Sequence, residues 1–286
     1  MGWTPRPGSW SPPAARRRAA ALLEPFMARV RALLRRAGLL HTDETPARVD
    51  GDWTYLHVAC TETLTALHTG GRSQADISAG GVLDGYTGVL VRAGYAGYAH
   101  LVDAAHAWCG AHLLRDLKAI YDTDPTTQQG AQAMATTLTL ALHDTKTARA
   151  AGATGLAEQR LAFLHAAYAG AIAQIRADNQ TGTTPLQQRA LSLADRFDRH
   201  KDMILRFVHD LAVPFTNNQA ERDIRGAKVK QRSGGCWRTL DGLADFAVIW
   251  SYLSTAAKHG LDPLGVLVQL FTTGPWLPSI PQAGSA

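Results

Sequence analysis

Residues 216–238 read TNNQAERDIRGAKVKQRSGGCWR. One carboxylate, Glu221, stands in the first turn of an expected helix, and Arg222, Arg225, Lys228, Lys230, Arg232 and Arg238 follow it. Two readings of an acid among so many cations stay open. In the first, Asn218 caps the helix, Glu221 reaches back to the cap's amide as in a capping box, and Glu221 pairs with Arg225 one turn on. In the second, Glu221 holds a divalent metal at a phosphodiester while the cations bind the rest of a nucleic-acid backbone.

The rest of the chain bounds the choice. Its 286 residues suffice for one large domain or two ordinary ones with a substantial core. A hydrophobic content of 46% with 19% charged residues describes an ordered globular protein, and the net charge of +5 favours a polyanionic partner without establishing one. Cys60, Cys109 and Cys236 are odd in number and widely spread, which fits a reducing cytoplasm rather than a disulfide framework. No apolar run approaches the ~20 residues of a membrane span. The N-terminal stretch MGWTPRPGSWSPPAARRR lacks the apolar core of a secretory signal. A cytoplasmic protein with no membrane partner is expected.

In chain order, residues 1–11 are rich in Pro, Gly and Ser and are expected to be loose. Ser11 and Pro12 then read as a cap and first helical position, with Leu22, Leu23, Phe26, Val30, Leu33 and Leu34 at helical spacing and a kink expected at Pro25. From Gly38 the period shortens. GLLHTDETP, DWTYLHVAC and TLTALHTG predict three strands of an antiparallel meander, the first ending at Pro46 with Asp43 and Glu44 at its end. Residues 71–85 are turn-like, with Ile77 and Val82 as core candidates. TGVLV at 87–91 predicts a buried strand running into Arg92, Ala93 and Gly94; HAWCG predicts another, and a helix is expected from Ala111 to Tyr121. Residues 126–209 are helical in pattern over 128–150, 156–178 and 185–209. Past Glu221's helix, a second amphipathic helix carries Leu240, Leu243, Ala247, Trp250 and Leu253 as one stripe, and the chain from Pro275 is expected to be loose.

A strand-end Asp43, a later strand ending near position 93, a helical block and a helix-borne Glu221 resemble, in that order, the RNase H-like nucleotidyl-transferases with an Asp-Asp-Glu triad. HTDETP, WTYLHVAC, GVLVRAGYAGY, CGAHLLRDL, NNQAERDIRGAKVKQRSGGCWR and WSYLSTAAKHG narrow this to a resemblance to the insertion sequence 66 family of bacterial transposases, from about Leu34 to Pro278. The resemblance implies an α/β fold: an RNase H-like mixed sheet with a mostly helical insertion and helical N- and C-terminal segments. It divides the chain into an N-terminal helical segment (1–37), the first part of the core (38–125), the insertion (126–209), the last part of the core (210–278) and a disordered tail (279–286).

The chemistry it implies is metal-dependent DNA strand cleavage and transfer. Two Mg²⁺ (or Mn²⁺) ions about 4 Å apart serve an in-line displacement, held by acids that converge from separate segments. By resemblance Asp43 is the first acid and metal ligand and Glu221 the last, while Arg222, Arg225, Lys228, Lys230 and Arg232 contact DNA, as transposon ends or target, in a possible homo-oligomer. The middle acid is where the chain departs, because Ala93 occupies its position and a methyl group ligates no metal. Trp250 and Ala257 also stand where relatives carry arginine. The chain is short for the family, as expected of the catalytic part of a truncated, decayed or altered copy. Impaired activity is therefore expected, and a non-catalytic DNA-binding remnant is the alternative. A helical scaffold whose acids are only caps and turns is a third reading.

The other signals have plain readings beside the sharp ones. Cys109 and His112 offer half a zinc site but lack a second pair, so Cys109 reads as a core residue. Cys236 reads as core rather than nucleophile, and His57 and His68 as strand residues without catalytic work. Tyr95 and Tyr98 read as packing residues. Trp237, beside Lys230 and Arg238, is the better candidate for a DNA-facing aromatic.

Overall fold

A computed structural model of the protein describes residues 11–279. The expected loose residues 1–10 and the tail 280–286 lie outside them. The elements in chain order are α1 (Pro12–Leu22), α2 (Glu24–Arg35), β1 (Leu39–Val49), β2 (Asp52–Cys60), β3 (Thr65–Gly70), α3 (Gln74–Ser78), β4 (Val89–Arg92), a 3-10 turn (Ala96–His100), β5 (Ala105–Trp108) and α4 (Gly110–Tyr121). Then follow α5 (Gln129–Ala150), α6 (Glu158–Asp178), α7 (Pro185–Arg199), α8 (Lys201–Ile204), α9 (Arg206–His209), α10 (Asn218–Gly234), α11 (Leu240–Lys258) and α12 (Pro263–Thr272). The class is mixed α/β. The chain forms two compact units, one of Met1–Gly88, Tyr95–Ala104 and Asn218–Ala286, the other of Val89–Gly94 and Ala105–Asn217.

In the first unit β1, β2 and β3 form the expected antiparallel meander. Asp50 (φ 50°) and Gly51 (φ 95°) make the two-residue turn between β1 and β2, both left-handed as a type I′ hairpin requires. That turn sets the register. With Val49 opposite Asp52 as the first hydrogen-bonded pair, every second pair repeats it, and Pro46 opposite Tyr55 falls in a pair that exchanges no hydrogen bonds. Its missing N–H therefore costs the ladder nothing, and β1 runs through Pro46 to Val49 instead of stopping there. Asp43 lies in mid-strand, opposite Val58, rather than at a strand end. Beyond β1, Trp237 donates its N–H to the Arg48 carbonyl at 2.7 Å and accepts from the Asp50 N–H at 2.8 Å, bridging the edge away from β2.

The core of this unit lies between one sheet face and two helices. Ala47, Val49, Leu56, Val58, Cys60 and Leu67 pack on Ala220, Ile224 and Ala227 of α10, on Leu243 and Ala247 of α11, and on Trp237. Near the N-terminus the expected kink is a break: α1 ends at Leu22 and α2 starts afresh at Glu24, with Pro25 in its first turn, where a missing N–H is harmless. Leu240 is exposed because it opens α11 before the helix reaches the core, so it does not join the Leu243 and Ala247 stripe. The stretch after Pro275 is held: the Trp276 amide donates to Tyr252 Oη at 3.1 Å, the Trp276 ring lies 5.0 Å from that of His259, and Arg29 Nε donates to the Pro278 carbonyl at 3.3 Å.

The second unit pairs β4 with β5 in parallel and adds α4 to α9. The expected helix at 185–209 is three, broken at His200 and Leu205. Gly130 explains how α5 and α6 approach: a Cβ there would fall 2.3 Å from the Ile175 backbone nitrogen, so only glycine fits. The Gln128 and Asn179 amides, both buried, bond to each other at 2.8 and 3.1 Å across the same pair of helices. Among the described residues no helix is long and apolar enough to cross a membrane.

On the other face of the meander, the His57 and His68 rings stack at 4.8 Å across β2 and β3. Their Nε2 atoms meet the Gly71 and Asp76 carbonyls at 2.8 and 2.9 Å. Burial, then the neighbouring ring, brings His68 down from 6.5 to about 4, and burial also lowers His57. Both rings are therefore neutral in the fold. Below the unfolded value of 6.5 the unfolded chain takes up protons that the fold refuses, so stability is complete above that pH and is lost as pH falls toward 4. For His68 alone the loss reaches roughly 3 kcal/mol. Melting temperature measured from pH 7.5 to 4.5 should fall in the unaltered protein and fall less steeply in His68→Gln.

Candidate active site

Alternation along β1 puts Asp43 on the face that carries Ala47 and Val49, and Glu44 on the other. The first face is the one on which α10 lies, through Ala220, Ile224 and Ala227, and Glu221 follows Ala220 directly. Both carboxylates are half-buried. Asp43 and Glu221 thus belong to one strand–helix layer, although 178 positions apart in sequence.

Glu44 is occupied with structure. It accepts from Arg72 at 2.6 Å and from Tyr98 Oη at 2.8 Å, and Tyr98 is buried. Burial and then the Glu44 charge hold the Tyr98 hydroxyl well above its ordinary pKa, so it remains a donor. The Arg72 guanidinium lies 3.8 Å from the Tyr95 ring centroid and 5.0 Å from that of Tyr55. Tyr95 and Tyr98 therefore pack, as the sequence reading expects, and they hold β1 from the side opposite Asp43.

α10 begins at Asn218 itself, so the position before it is Asn217, and Glu221 stands four residues beyond that rather than three. The expected capping box on Asn218 does not have its spacing. Arg222, Arg225 and Arg232 are exposed, Lys228 and Lys230 half-buried. Arg222 donates to Gln219 at 2.6 Å, and Lys230 Nζ lies 4.3 Å from the Trp237 ring centroid. Trp237 is buried, not DNA-facing, because its backbone is bonded to Arg48 and Asp50 and its ring packs on Phe246 at 4.8 Å. Cys236, next to it, is exposed rather than core.

What fixes the rotation of α10 escaped the sequence reading. Asp223, buried on the apolar stripe of the helix, accepts from Lys258 Nζ at 2.5 Å, Thr65 Oγ1 at 2.8 Å and Gln219 Nε2 at 3.0 Å. Lys258 also donates to the Thr61 and Leu64 carbonyls at 2.7 and 2.9 Å. The signal was present: a carboxylate between Ala220 and Ile224 on a buried face must be paired. Trp250 donates from Nε1 to the Asp223 carbonyl at 2.8 Å. Its ring lies so close to Gly226 that a Cβ there would fall 2.1 Å away.

In the second unit Ala93 directly follows β4 and is half-buried. Arg92 beside it is buried, donating to His106 Nδ1 at 2.8 Å and to the Ala93 carbonyl at 2.9 Å. Cys109 precedes α4 and is buried, as its core reading expects. Burial pushes its thiol up, but hydrogen bonding with His112 and with the Asn217 amide (3.2 Å from Sγ) outweighs burial and lowers its pKa. A hard divalent cation wants oxygen donors, which carboxylates such as Asp43 and Glu221 offer.

A family model described as Transposase IS66 family matches residues 13–245. The protein is thus a transposase by descent, and it belongs to the IS66 family. A comparison with curated proteins finds no match.

Lys258→Met should lower stability by about 3–5 kcal/mol, since it strands the Asp223 charge in the core. Lys258→Met with Asp223→Leu should recover most of that loss in urea unfolding. Gly226→Ala should destabilise by about 1–3 kcal/mol through overpacking against Trp250, and Gly226→Ala with Trp250→Leu should be milder.

Proposed function

We propose that this chain is the catalytic region of a DDE-type DNA transposase with an RNase H-like fold, disabled at its second acid position. The observation that carries the reading is the shared layer of β1 and α10, in which Asp43 and Glu221 occupy the facing strand and helix. An antiparallel three-strand meander followed in the chain by two parallel strands supports the fold assignment. Family membership supports DNA as the partner.

In this reading Asp43 and Glu221 hold Mg²⁺ or Mn²⁺, which supplies charge stabilisation and an activated oxygen nucleophile to a phosphodiester. The residues' own work is positional. Glu44, clamped by Arg72 and Tyr98, fixes the strand that bears Asp43, and the Asp223–Lys258 pair fixes the helix that bears Glu221. Arg222, Arg225, Lys228, Lys230 and Arg232 neutralise DNA phosphates, with Lys230 carrying its charge against the Trp237 ring. Ala93 leaves the set one carboxylate short, which weakens metal binding and misplaces the nucleophile. That same residue favours a second reading, a DNA-binding remnant that keeps the basic helix without chemistry.

Calorimetry with Mn²⁺ on this chain and on Ala93→Asp separates them. A site created or clearly tightened by the substitution, and lost again on adding Glu221→Gln, supports the disabled enzyme. Equal binding by both proteins removes position 93 from the acid set, and robust Mg²⁺-dependent strand transfer by the unaltered chain overturns the disablement. DNA binding should weaken steeply with salt, and replacing Arg222 or Arg225 by Gln should each reduce the slope of log K against log salt by about 1.

A further inference from the structure

The helical block holds a pair of side chains that the transposase reading leaves unused. His165 lies on α6 between the buried Leu164 and, one turn on, the buried Tyr168. His209 closes α9 after the buried Phe207 and Val208. Each histidine backbone is therefore pinned by core neighbours. Their rings lie 5.0 Å apart at an interplanar angle of 31°, and the two Nε2 atoms are 3.1 Å apart. That contact joins a lone pair on one ring to a proton on the other, so one ring is already the tautomer whose Nε2 carries a lone pair toward its neighbour.

The spacing is that of two donors on one ion. Imidazole nitrogens at 2.0–2.1 Å from a metal are about 3.3 Å apart at a tetrahedral angle and about 2.9 Å apart at a right angle. The observed 3.1 Å falls between them. Two imidazoles select a borderline transition metal over Mg²⁺ or Ca²⁺, which prefer oxygen. The exposure of His209 leaves room for water in the remaining coordination positions. With His209 as the donor, that exposure also lets its ring give up the Nε2 proton to solvent and take one at Nδ1 when the ion arrives. Asp202 and Lys201 are the charged groups within electrostatic reach of His165, one favouring a cation and one opposing it.

We infer that His165 and His209 form a two-imidazole site for a divalent transition-metal ion of the Zn²⁺ or Ni²⁺ type, clipping α6 to α9. The ion bridges α6 and α9 at the point where the two rings already share a hydrogen bond. It stands apart from the oxygen-ligand chemistry expected of Asp43 and Glu221.

The test is isothermal titration of the full chain with ZnCl₂ and with NiCl₂ at pH 7.5, beside His165→Gln, His209→Gln and Asp43→Asn/Glu221→Gln. Circular dichroism checks that each variant is folded. Each histidine variant should lose one equivalent of metal, or bind it at least tenfold more weakly, while the carboxylate double variant keeps that equivalent. Zinc should also raise the melting temperature of the unaltered chain and not of either histidine variant. Unchanged stoichiometry and affinity in both histidine variants, or no Zn²⁺ or Ni²⁺ bound by the unaltered chain, overturns the inference.

Discussion

One buried ion pair sets the arrangement of the first unit. Asp223 and Lys258 meet beneath α10 at the end of the β2–β3 turn, and each has further partners: Thr65 and Gln219 for the acid, the Thr61 and Leu64 carbonyls for the amine. A charge buried this deeply is tolerable only when every donor and acceptor around it is matched, so the helix can take one rotation about its axis and no other. Two residues earlier on that helix stands Glu221. The direction in which a half-buried acid faces is thus decided by a buried one, and Trp250, donating to the Asp223 carbonyl, ties α11 to the same point.

A comparable logic governs Asp43. The Asp50–Gly51 turn fixes the pairing of β1 with β2, and because side chains alternate strictly along a strand, a slip of one residue would send Asp43 to the side of Tyr98 and Glu44 to the side of α10. Glu44 could not serve there without breaking its bonds to Arg72 and Tyr98. Two adjacent acids of similar chemistry are therefore sent to opposite faces of the sheet by a turn seven residues away.

Much of this was legible in the sequence, for reasons that particular residues show. The meander announced itself through period-two runs and an Asp-Gly turn, and the long helices through apolar spacing between glycines and prolines. Pro46 misled because its tolerance depends on which pairs exchange hydrogen bonds, a property of register that composition does not carry. The breaks at His200 and Leu205 have no proline or glycine to mark them. α3 was hidden among glycines, although Ser73 and Asp76 cap it reciprocally. Asp43 and Glu221 were singled out by the order of motifs, not by spacing. Trp237 was misjudged from its charged neighbours, when its backbone bonds to β1 determine where the ring goes. His165 and His209, separated by 44 positions, are brought together only by folding.

The bridge from Trp237 to β1 bears on how the protein behaves in a crowded solution. β1 is eleven residues long, and any stretch of a strand edge left bare invites a second polypeptide to add itself as another strand. Along residues 46–50 the outward edge gives such a visitor little to hold: Pro46 has no N–H, and the Arg48 carbonyl and Asp50 N–H are already taken by Trp237. The chain that links α10 to α11 therefore guards this stretch against self-association, a duty that would remain even if no strand of DNA were ever cut.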